Sequence, residues 1–380
     1  MRWTRGLAFT VAGLTGVAGA GLAATTAAMA VPVGHSHNGH SSYIGHFHHI
    51  NKVASTVPFN GDVNPYGVVV VRHSQGRLHQ GDILVSNFNN SKNLQGTGST
   101  IVEISPGGHR MVFAHITKAA LHGRCQGRIG LTTALVMAHG WVIVGDLPSK
   151  NGQAATSSPG CLLVIDNQGK LRKIFSGSGI NGPWDATAVT HGNMAALFVA
   201  NVLNGTAAAK GKVVNRGTVL RLMIAFRHGK LPAITSVTKV GSGFAERTDP
   251  VTFVVAPTGL GLSSNGTLYV ADTEMNRITW IPNAVKRHKS AGTGFVLTAN
   301  GALNAPLGLT IAPNGDVLTV NGGNGKIVET NPVGKQVDSR FLDRSGKPPG
   351  NGALFGLAIA PHASGVYFVD DAMNRLRLLH

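Results

Sequence analysis

The chain has 380 residues, with 33 Lys or Arg against 16 Asp or Glu and a formal net charge of +17. This length suffices for a large core or for two domains. The basic residues are scattered and do not alternate with aromatic side chains, so the composition argues against nucleic-acid binding despite the charge. Few carboxylates also means few groups to protonate in acid.

The first thirty residues have the pattern of a secretory signal peptide. Arg2 and Arg5 form a short basic start, residues 7–22 are apolar, and residues 28–30 read Ala-Met-Ala, a small-x-small cleavage site. We expect cleavage after residue 30, a periplasmic or secreted product, and no membrane span in the mature chain. A retained membrane anchor is the alternative.

A histidine-rich stretch follows at residues 31–50 and contains His35, His37, His40, His46, His48 and His49. Clustered imidazoles bind Zn²⁺, Cu²⁺ or Ni²⁺, but the spacing is not that of a structural zinc site and no carboxylate lies beside it. We expect residues 31–50 to be a flexible leader with adventitious metal affinity. Metal capture and a pH-responsive tether are the alternatives.

The chain contains two cysteines, Cys125 and Cys161. An even number in an exported chain favours one disulfide between them, with two buried free thiols as the alternative.

Residues 51–380 repeat a short pattern in which an apolar run ends on Asp or Asn. The six anchor residues are Asn87, Asp146, Asn201, Asp272, Asn321 and Asp370. The last three are followed five positions later by a cation, namely Arg277, Lys326 and Arg375. Within each unit, short β-branched and aliphatic runs are separated by Gly or Asn-Gly turns, which predicts four short antiparallel strands.

Six such units predict an all-β fold, a six-bladed β-propeller with four-stranded antiparallel blades over residues 51–380. The last unit reaches the C-terminus after three strands. Residues 51–59 read as a strand and can supply the fourth, which closes the ring and leaves no long free edge. Seven blades is the alternative, since residues 105–130 and 225–257 are hard to assign.

The segments YVADTEMNRITWI (269–281) and GLTIAPNGDVLTVNGGNGKIV (308–328) resemble NHL repeats and the related gluconolactonase-like propellers. That family includes binding scaffolds, lactonases and lyases, so the resemblance implies a fold but no single function. Its lactonases hold a central divalent ion with a Glu, an Asn and an Asp. The resemblance implies Asn201 and Asp272 as metal ligands for one Ca²⁺ or Zn²⁺, but Asn-Pro-Tyr-Gly stands at residues 64–67, where the Glu is expected.

The anchor residues have two possible roles. An Asp or Asn side chain can bond backbone N–H groups and hold the loop after the second strand. A ring of such oxygens on one face is also what Ca²⁺ accepts. We favour the loop-holding role and keep the metal as a hypothesis.

One unit departs from the others where the innermost strand begins. Most units have Gly there, whereas the third has Asp185, a candidate catalytic base or cation ligand with a local cap as the structural alternative. Tyr66, Trp184 and Phe355 precede the same position in their units. Together with Asp185 they predict a ligand-binding face with an apolar rim.

Long loops follow the second strand in the first three units, at residues 88–99, 147–160 and 202–218. Long loops on a rigid scaffold are where binding usually occurs. We therefore expect a monomeric, exported propeller that binds a protein or small molecule through one loop-rich face. A divalent-metal-dependent lactonase or lyase with its site in the central channel is the alternative, and the sequence leaves enzymatic activity open.

Overall fold

A computed structural model describes residues 41–380. The predicted signal peptide and His35, His37 and His40 lie outside the described residues. Between residues 41 and 380, no helix is both long and apolar enough to span a membrane.

The described residues form six antiparallel sheets, which are the blades of a β-propeller. Strand β1 is Ile50–Ser55. Blade 1 contains β2 (Val63–Val70), β3 (Ile83–Asn89), β4 (Thr100–Ile104) and β5 (Arg110–His115). Blade 2 contains β6 (Leu131–Ala138), β7 (Trp141–Asp146), β8 (Cys161–Ile165) and β9 (Leu171–Phe175). Blade 3 contains β10 (Pro183–His191), β11 (Met194–Asn201), β12 (Val214–Ala225), β13 (Ala233–Asp249) and β14 (Phe253–Val255).

The remaining three blades are regular. Blade 4 contains β15 (Pro257–Leu262), β16 (Leu268–Asp272), β17 (Arg277–Ile281) and β18 (Phe295–Ala299). Blade 5 contains β19 (Pro306–Ile311), β20 (Val317–Asn321), β21 (Lys326–Thr330) and β22 (Gln336–Phe341). Blade 6 contains β23 (Leu354–Ile359), β24 (Val366–Asp370), β25 (Arg375–Leu379) and β1. Short 3₁₀ turns lie at Ile44–His46, Ala119–Leu121, Cys125–Gly127, Ala154–Thr156, Ala207–Ala209 and Pro361–Ala363.

The predicted closure of the ring is confirmed. Strand β1 pairs antiparallel with β25, with Ile50 opposite Leu379 and Ser55 opposite Arg375, so both ends of the described chain complete blade 6. Six blades, and not seven, are present because the two unassigned stretches add no sheet. Residues 105–130 hold β5 and two short turns, while residues 225–257 hold β13 and β14.

The first strands of neighbouring blades contact one another around the central channel. Glycine makes this approach possible. A Cβ added at Gly259 would overlap the backbone of Leu307 in blade 5, and one added at Gly308 would overlap the backbone of Phe355 in blade 6. The recurring Gly is therefore required where inner strands pass at backbone distance.

The segment assigned to a flexible leader begins to pack before residue 50, which corrects that boundary. Ile44 is fully buried, and Glu329 accepts the backbone N–H groups of Tyr43 at 2.6 Å and Ile44 at 2.9 Å. His48 and His49 donate their backbone N–H groups to the His380 carbonyl. Residues 43–49 therefore lie against blades 5 and 6, because a buried carboxylate and an apolar pocket hold them.

Candidate functional site

The central channel contains a cavity of about 50 Å³. Every blade contributes side chains from its first strand, among them Val68, Leu135, Asp185, Leu260, Leu309 and Leu357. Asp185 is the one ionisable group that lines the cavity within the described residues. A volume of this size holds a few water molecules but not a sugar-sized substrate.

Asp185 lies where the inner strands of blades 1, 4, 5 and 6 have glycine. Its Oδ2 accepts the backbone N–H of Leu260 at 2.8 Å and so links blade 3 to blade 4. Burial raises its pKa to about 7, although N–H groups of Leu260 and Ala186 oppose the shift. The carboxyl can exchange a proton near neutral pH, and it also makes an inter-blade contact, so both predicted roles remain compatible with its position.

Tyr66, Trp184 and Phe355 come together at the start of the inner strands, but the first two are buried instead of forming an accessible rim. Tyr66 stacks on Phe355 at 4.0 Å between ring centroids and packs edge-on against Trp184 at 5.7 Å. Phe88 and Phe253 complete this aromatic plug, and no more than 3% of Tyr66, Phe88, Trp184 or Phe253 is exposed.

The long loops of blades 1–3 cover the aromatic plug. Leu147, Ala154, Val202 and Leu203 from these loops belong to the same buried cluster. The loops also bond to one another. Ser149 donates its hydroxyl to the Gln95 carbonyl at 2.5 Å. The loop-rich half of this face therefore seals one end of the channel.

Asn201 bonds the backbone of the segment before β10, whereas the sequence pattern predicted that the anchors hold the loop after the second strand. Its Oδ1 accepts the backbone N–H groups of Asn181 at 2.7 Å and Gly182 at 3.1 Å, and its Nδ2 donates to the Gly179 carbonyl at 3.0 Å. Asn87, Asp146 and Asn321 likewise bond the backbone of the segment that leads into their own blade. These four anchors thus fasten blades 1, 2, 3 and 5 to the connections that precede them.

Asp272 is fully buried and its Oδ2 accepts Arg277 Nε at 2.8 Å. Its Oδ1 has no partner among the described residues. A guanidinium already compensates this carboxylate, the Asn201 acceptor is occupied by backbone donors, and Asn64 replaces the expected Glu. These residues do not fit the channel divalent-ion site that the resemblance implies.

The described histidines of the predicted leader are dispersed. His46 Nε2 lies 3.0 Å from the Ser41 hydroxyl, and the rings of His49 and His380 are 5.9 Å apart. Between residues 41 and 380, none of His46, His48 and His49 belongs to a group of three metal-ligating side chains.

The structure joins Cys125 and Cys161 in a disulfide with Cα atoms 5.9 Å apart, which ties the connection before blade 2 to β8.

A second cavity, which the sequence analysis missed, lies at the end of blade 5 on the same face as the long loops. This blade 5 cleft has a volume of about 420 Å³. It is lined by Asn304, Gly323, Asn324, Lys326, Phe341, Pro348, Pro349 and Asn351. That volume lies within the range of small-ligand sites.

Two cations and an unsatisfied amide distinguish the blade 5 cleft. Lys326 Nζ lies 4.8 Å and Arg344 Cζ lies 3.8 Å from the ring centroid of Phe341. Asn351 is 8% exposed, yet within the described residues neither its Oδ1 nor its Nδ2 has a hydrogen-bond partner. Native proteins rarely leave a buried amide without any partner.

A sequence signal for this cleft was present in the repeat. The fifth residue after an acidic anchor can pair with it, as Arg277 pairs with Asp272. In blade 5 the anchor is the neutral Asn321, so it offers Lys326 no carboxylate. The ammonium group of Lys326 lies over the ring of Phe341 instead.

Comparisons with known proteins agree with this architecture. Residues 256–281 match the family model for the NHL repeat. A search of curated proteins returned no significant match. Among solved structures, a gluconolactonase from Xanthomonas campestris is 12% identical, with 87% of this chain and 88% of that chain covered and a TM-score of 0.51.

Two other solved propellers are equally similar. The calcium-binding protein regucalcin from Agrobacterium tumefaciens is 13% identical, with coverage of 86% and 93% and a TM-score of 0.51. A streptogramin B lyase is 14% identical, with coverage of 90% and 99% and a TM-score of 0.51. At such identity the likeness establishes the fold alone. The chain is therefore a six-bladed β-propeller that contains an NHL repeat and shares its fold with the gluconolactonase-like propellers.

Proposed function

We propose that this propeller is an exported binding protein that takes a small hydroxylated anion, such as a sugar acid, in the blade 5 cleft. The observation that carries the proposal is Asn351, a buried amide without partners that lines a cavity of about 420 Å³ beside Lys326. On the same face, the long loops of blades 1–3 pack over the aromatic plug and close the channel. We therefore assign ligand binding to the other half of this face, which contains the cleft.

The chemistry of the cleft selects the ligand class. A buried amide without partners costs about 1–3 kcal/mol per unsatisfied group, which a ligand hydroxyl can recover because it both donates and accepts. Lys326 and Arg344 flank the same ring without a paired carboxylate among the described residues, so a ligand carboxylate would form charge-assisted bonds there. Pro348 and Pro349 supply apolar surface for the carbon skeleton.

Calorimetric titration with D-glucuronate and with neutral D-glucose tests this proposal. We expect glucuronate to bind at least about tenfold more tightly than glucose, since only glucuronate carries the charge that Lys326 recognises. Asn351→Ala and Lys326→Gln should each weaken glucuronate binding by about 10–100-fold. Lys335→Gln, an exposed lysine of the same blade, is the control and should bind as the native chain does.

Equal affinity of glucuronate for the native chain and both cleft variants would remove the cleft from the proposal. Failure of a panel of sugar acids to bind at millimolar concentration would remove the ligand class as well.

Export is part of the proposal. The basic start, the apolar run and the Ala-Met-Ala site predict a signal peptide, and the Cys125–Cys161 disulfide suits an oxidising compartment. N-terminal sequencing of the protein recovered from periplasm or medium should begin at Val31. Recovery of a chain that begins at Met1 in the cytosolic fraction alone would contradict export.

A channel enzyme is the second candidate, and Asp185 is the observation that favours it. A carboxyl with a pKa of about 7 in a cavity is suited to general-base catalysis, and several propellers of this fold are lactonases or lyases by name. Because the cavity of about 50 Å³ holds only a few water molecules, this candidate also requires the channel to open for its substrate. Turnover of a lactone that falls by at least about 100-fold in Asp185→Asn would support it. No turnover across a lactone panel, or equal turnover in the variant, would reject it.

A further inference from the structure

A group of metal-ligating side chains lies far from the channel and the cleft, on the opposite face of blade 1. His79 and Asp82 belong to the loop between β2 and β3, and Glu103 lies on β4. Their potential ligand atoms all lie within 4.8 Å of one another. The group joins the loop to the sheet beneath it.

The buried carboxylate of this group is incompletely satisfied. Glu103 has a side chain that is 0% exposed, and its Oε1 accepts the His79 backbone N–H at 2.9 Å. Its Oε2 is buried and has no partner among the described residues. An ionised carboxylate in such a position requires compensation by a cation or a donor.

The surrounding charges leave a place for a cation. His79 Nδ1 lies 3.6 Å from Glu103 Oε1 and 3.9 Å from Asp82 Oδ2. The side chain of His79 is 61% exposed and that of Asp82 is 14% exposed, so the group can be reached from solvent. Two carboxylates face the imidazole of His79, which carries at most one positive charge, and the imidazole of His109 also acts on Asp82.

We propose that His79, Asp82 and Glu103 form a zinc-binding site. One imidazole nitrogen and two carboxylate oxygens are ligands that Zn²⁺ accepts, with water free to complete a tetrahedron. Tetrahedral Zn²⁺ with ligands about 2.0 Å away places those ligands roughly 3.3 Å apart, and the ligand atoms of His79, Asp82 and Glu103, which lie within 4.8 Å of one another, would have to move together on binding. The ion would neutralise both carboxylates, and rotation of the Glu103 carboxylate would let its unpaired Oε2 take part.

The position of the site indicates a structural use. The site joins the β2–β3 loop to β4. This side of blade 1 lies next to β1, the strand that closes the ring. The turn between β4 and β5 approaches β1 closely, and Arg110 donates to the Ser55 carbonyl at 3.2 Å. Zn²⁺ bound here would therefore stabilise the part of blade 1 against which the ring closes.

The test is Zn²⁺ titration by calorimetry on the full chain, made without a polyhistidine tag and first stripped with EDTA, with Co²⁺ absorption as a second readout. We expect one tight Zn²⁺ per propeller, a rise in the melting temperature on Zn²⁺ addition, and Co²⁺ bands that Zn²⁺ abolishes. His79→Ala and Asp82→Asn should each weaken Zn²⁺ binding by at least about 100-fold. A residue that only hydrogen-bonds to a metal ligand would cost less, about 10–100-fold. Asp82→Asn changes a group near the surface and keeps the test valid if another variant folds poorly.

Two controls make the result specific. His73→Ala removes an exposed histidine from the same loop and should leave Zn²⁺ affinity within about twofold of the native value. A variant with His35, His37 and His40 replaced by Ala should keep the tight Zn²⁺ and lose only weak additional binding. If only this second variant loses tight Zn²⁺ binding, or if His79→Ala and Asp82→Asn bind as the native chain does, the proposed site is wrong. The absence of tight Zn²⁺ binding to the native chain would also overturn it.

Discussion

The recurring Asp or Asn at the end of each second strand holds the backbone together, and it does so in two chemical ways. Neutral anchors such as Asn201 bond only backbone groups and a neighbouring polar side chain, whereas Asp272 and Asp370 are buried and paired with Arg277 and Arg377. In blade 6 the cation that pairs with Asp370 is Arg377 and not Arg375, which follows the anchor by five positions. Residues 375 and 377 lie on the same face of β25 because side chains two apart along a strand share a face.

Arg277→Ala should destabilise the fold because it leaves the fully buried Asp272 carboxylate without its cation. We expect a loss of about 3–5 kcal/mol in the free energy of unfolding at pH 8. Burial already raises the Asp272 pKa, so the carboxyl of the variant can protonate in acid and the loss should shrink at pH 5. Denaturant unfolding at both pH values measures this.

Lys286→Ala, an exposed change in the same blade, is the control for Arg277→Ala and should stay within about 0.5 kcal/mol of the native chain. A similarly small effect of Arg277→Ala at pH 8 would show that the ion pair is dispensable.

At the scale of elements, the blades follow from local sequence, whereas the segments between them do not. Short strands with Asn-Gly turns form hairpins through neighbouring residues, so the regular repeat of blades 4–6 could be recognised from the sequence. Strand β13 has 17 residues and continues into a fifth strand, β14, which brings Phe253 into the aromatic plug. That contact depends on residues far apart in the sequence, and periodicity carries no information about it.

The packed segment at residues 43–49 depends on one carboxylate of blade 5. Glu329→Gln should loosen it, since the amide keeps one acceptor oxygen but loses the charge that strengthens the bonds from Tyr43 and Ile44. We expect the Tyr43 and Ile44 amides to exchange with solvent about 10–100-fold faster, as measured by hydrogen–deuterium exchange.

Glu274→Gln alters a carboxylate of blade 4 that pairs with Arg247 and lies away from residues 43–49, so it is the control, with unchanged exchange at residues 43 and 44 expected. Unchanged exchange in Glu329→Gln as well would mean that apolar packing of Ile44 holds the segment without the carboxylate.

At the scale of the whole molecule, burial raises the pKa of several carboxyl groups. The pKa is about 7 for Asp185 and Glu246, about 6 for Asp370 and about 8 for Asp371. These groups keep protons in the folded state at pH values where the unfolded chain has released them. The folded state then binds more protons than the unfolded state, so stability falls as pH rises.

We therefore expect the propeller to be more stable at pH 5 than at pH 8. The melting temperature should therefore fall from pH 5 to pH 8 in 0.15 M salt, which screens repulsion among the surface cations. Calorimetric scans across this range measure the shift. Asp185→Asn should flatten the dependence, and a melting temperature that rises with pH would contradict the argument.

The sequence by itself determined the number and order of the blades, the closure by β1, the glycines between inner strands and the recurring Asp or Asn at the end of each second strand. These features depend on local turns, on strand alternation and on a repeat that every blade must satisfy. The aromatic plug, the blade 5 cleft and the group of His79, Asp82 and Glu103 were decided only by the tertiary structure. Each forms where side chains from distant segments meet in the closed ring, and each owes its chemistry to burial, which a repeat pattern does not encode.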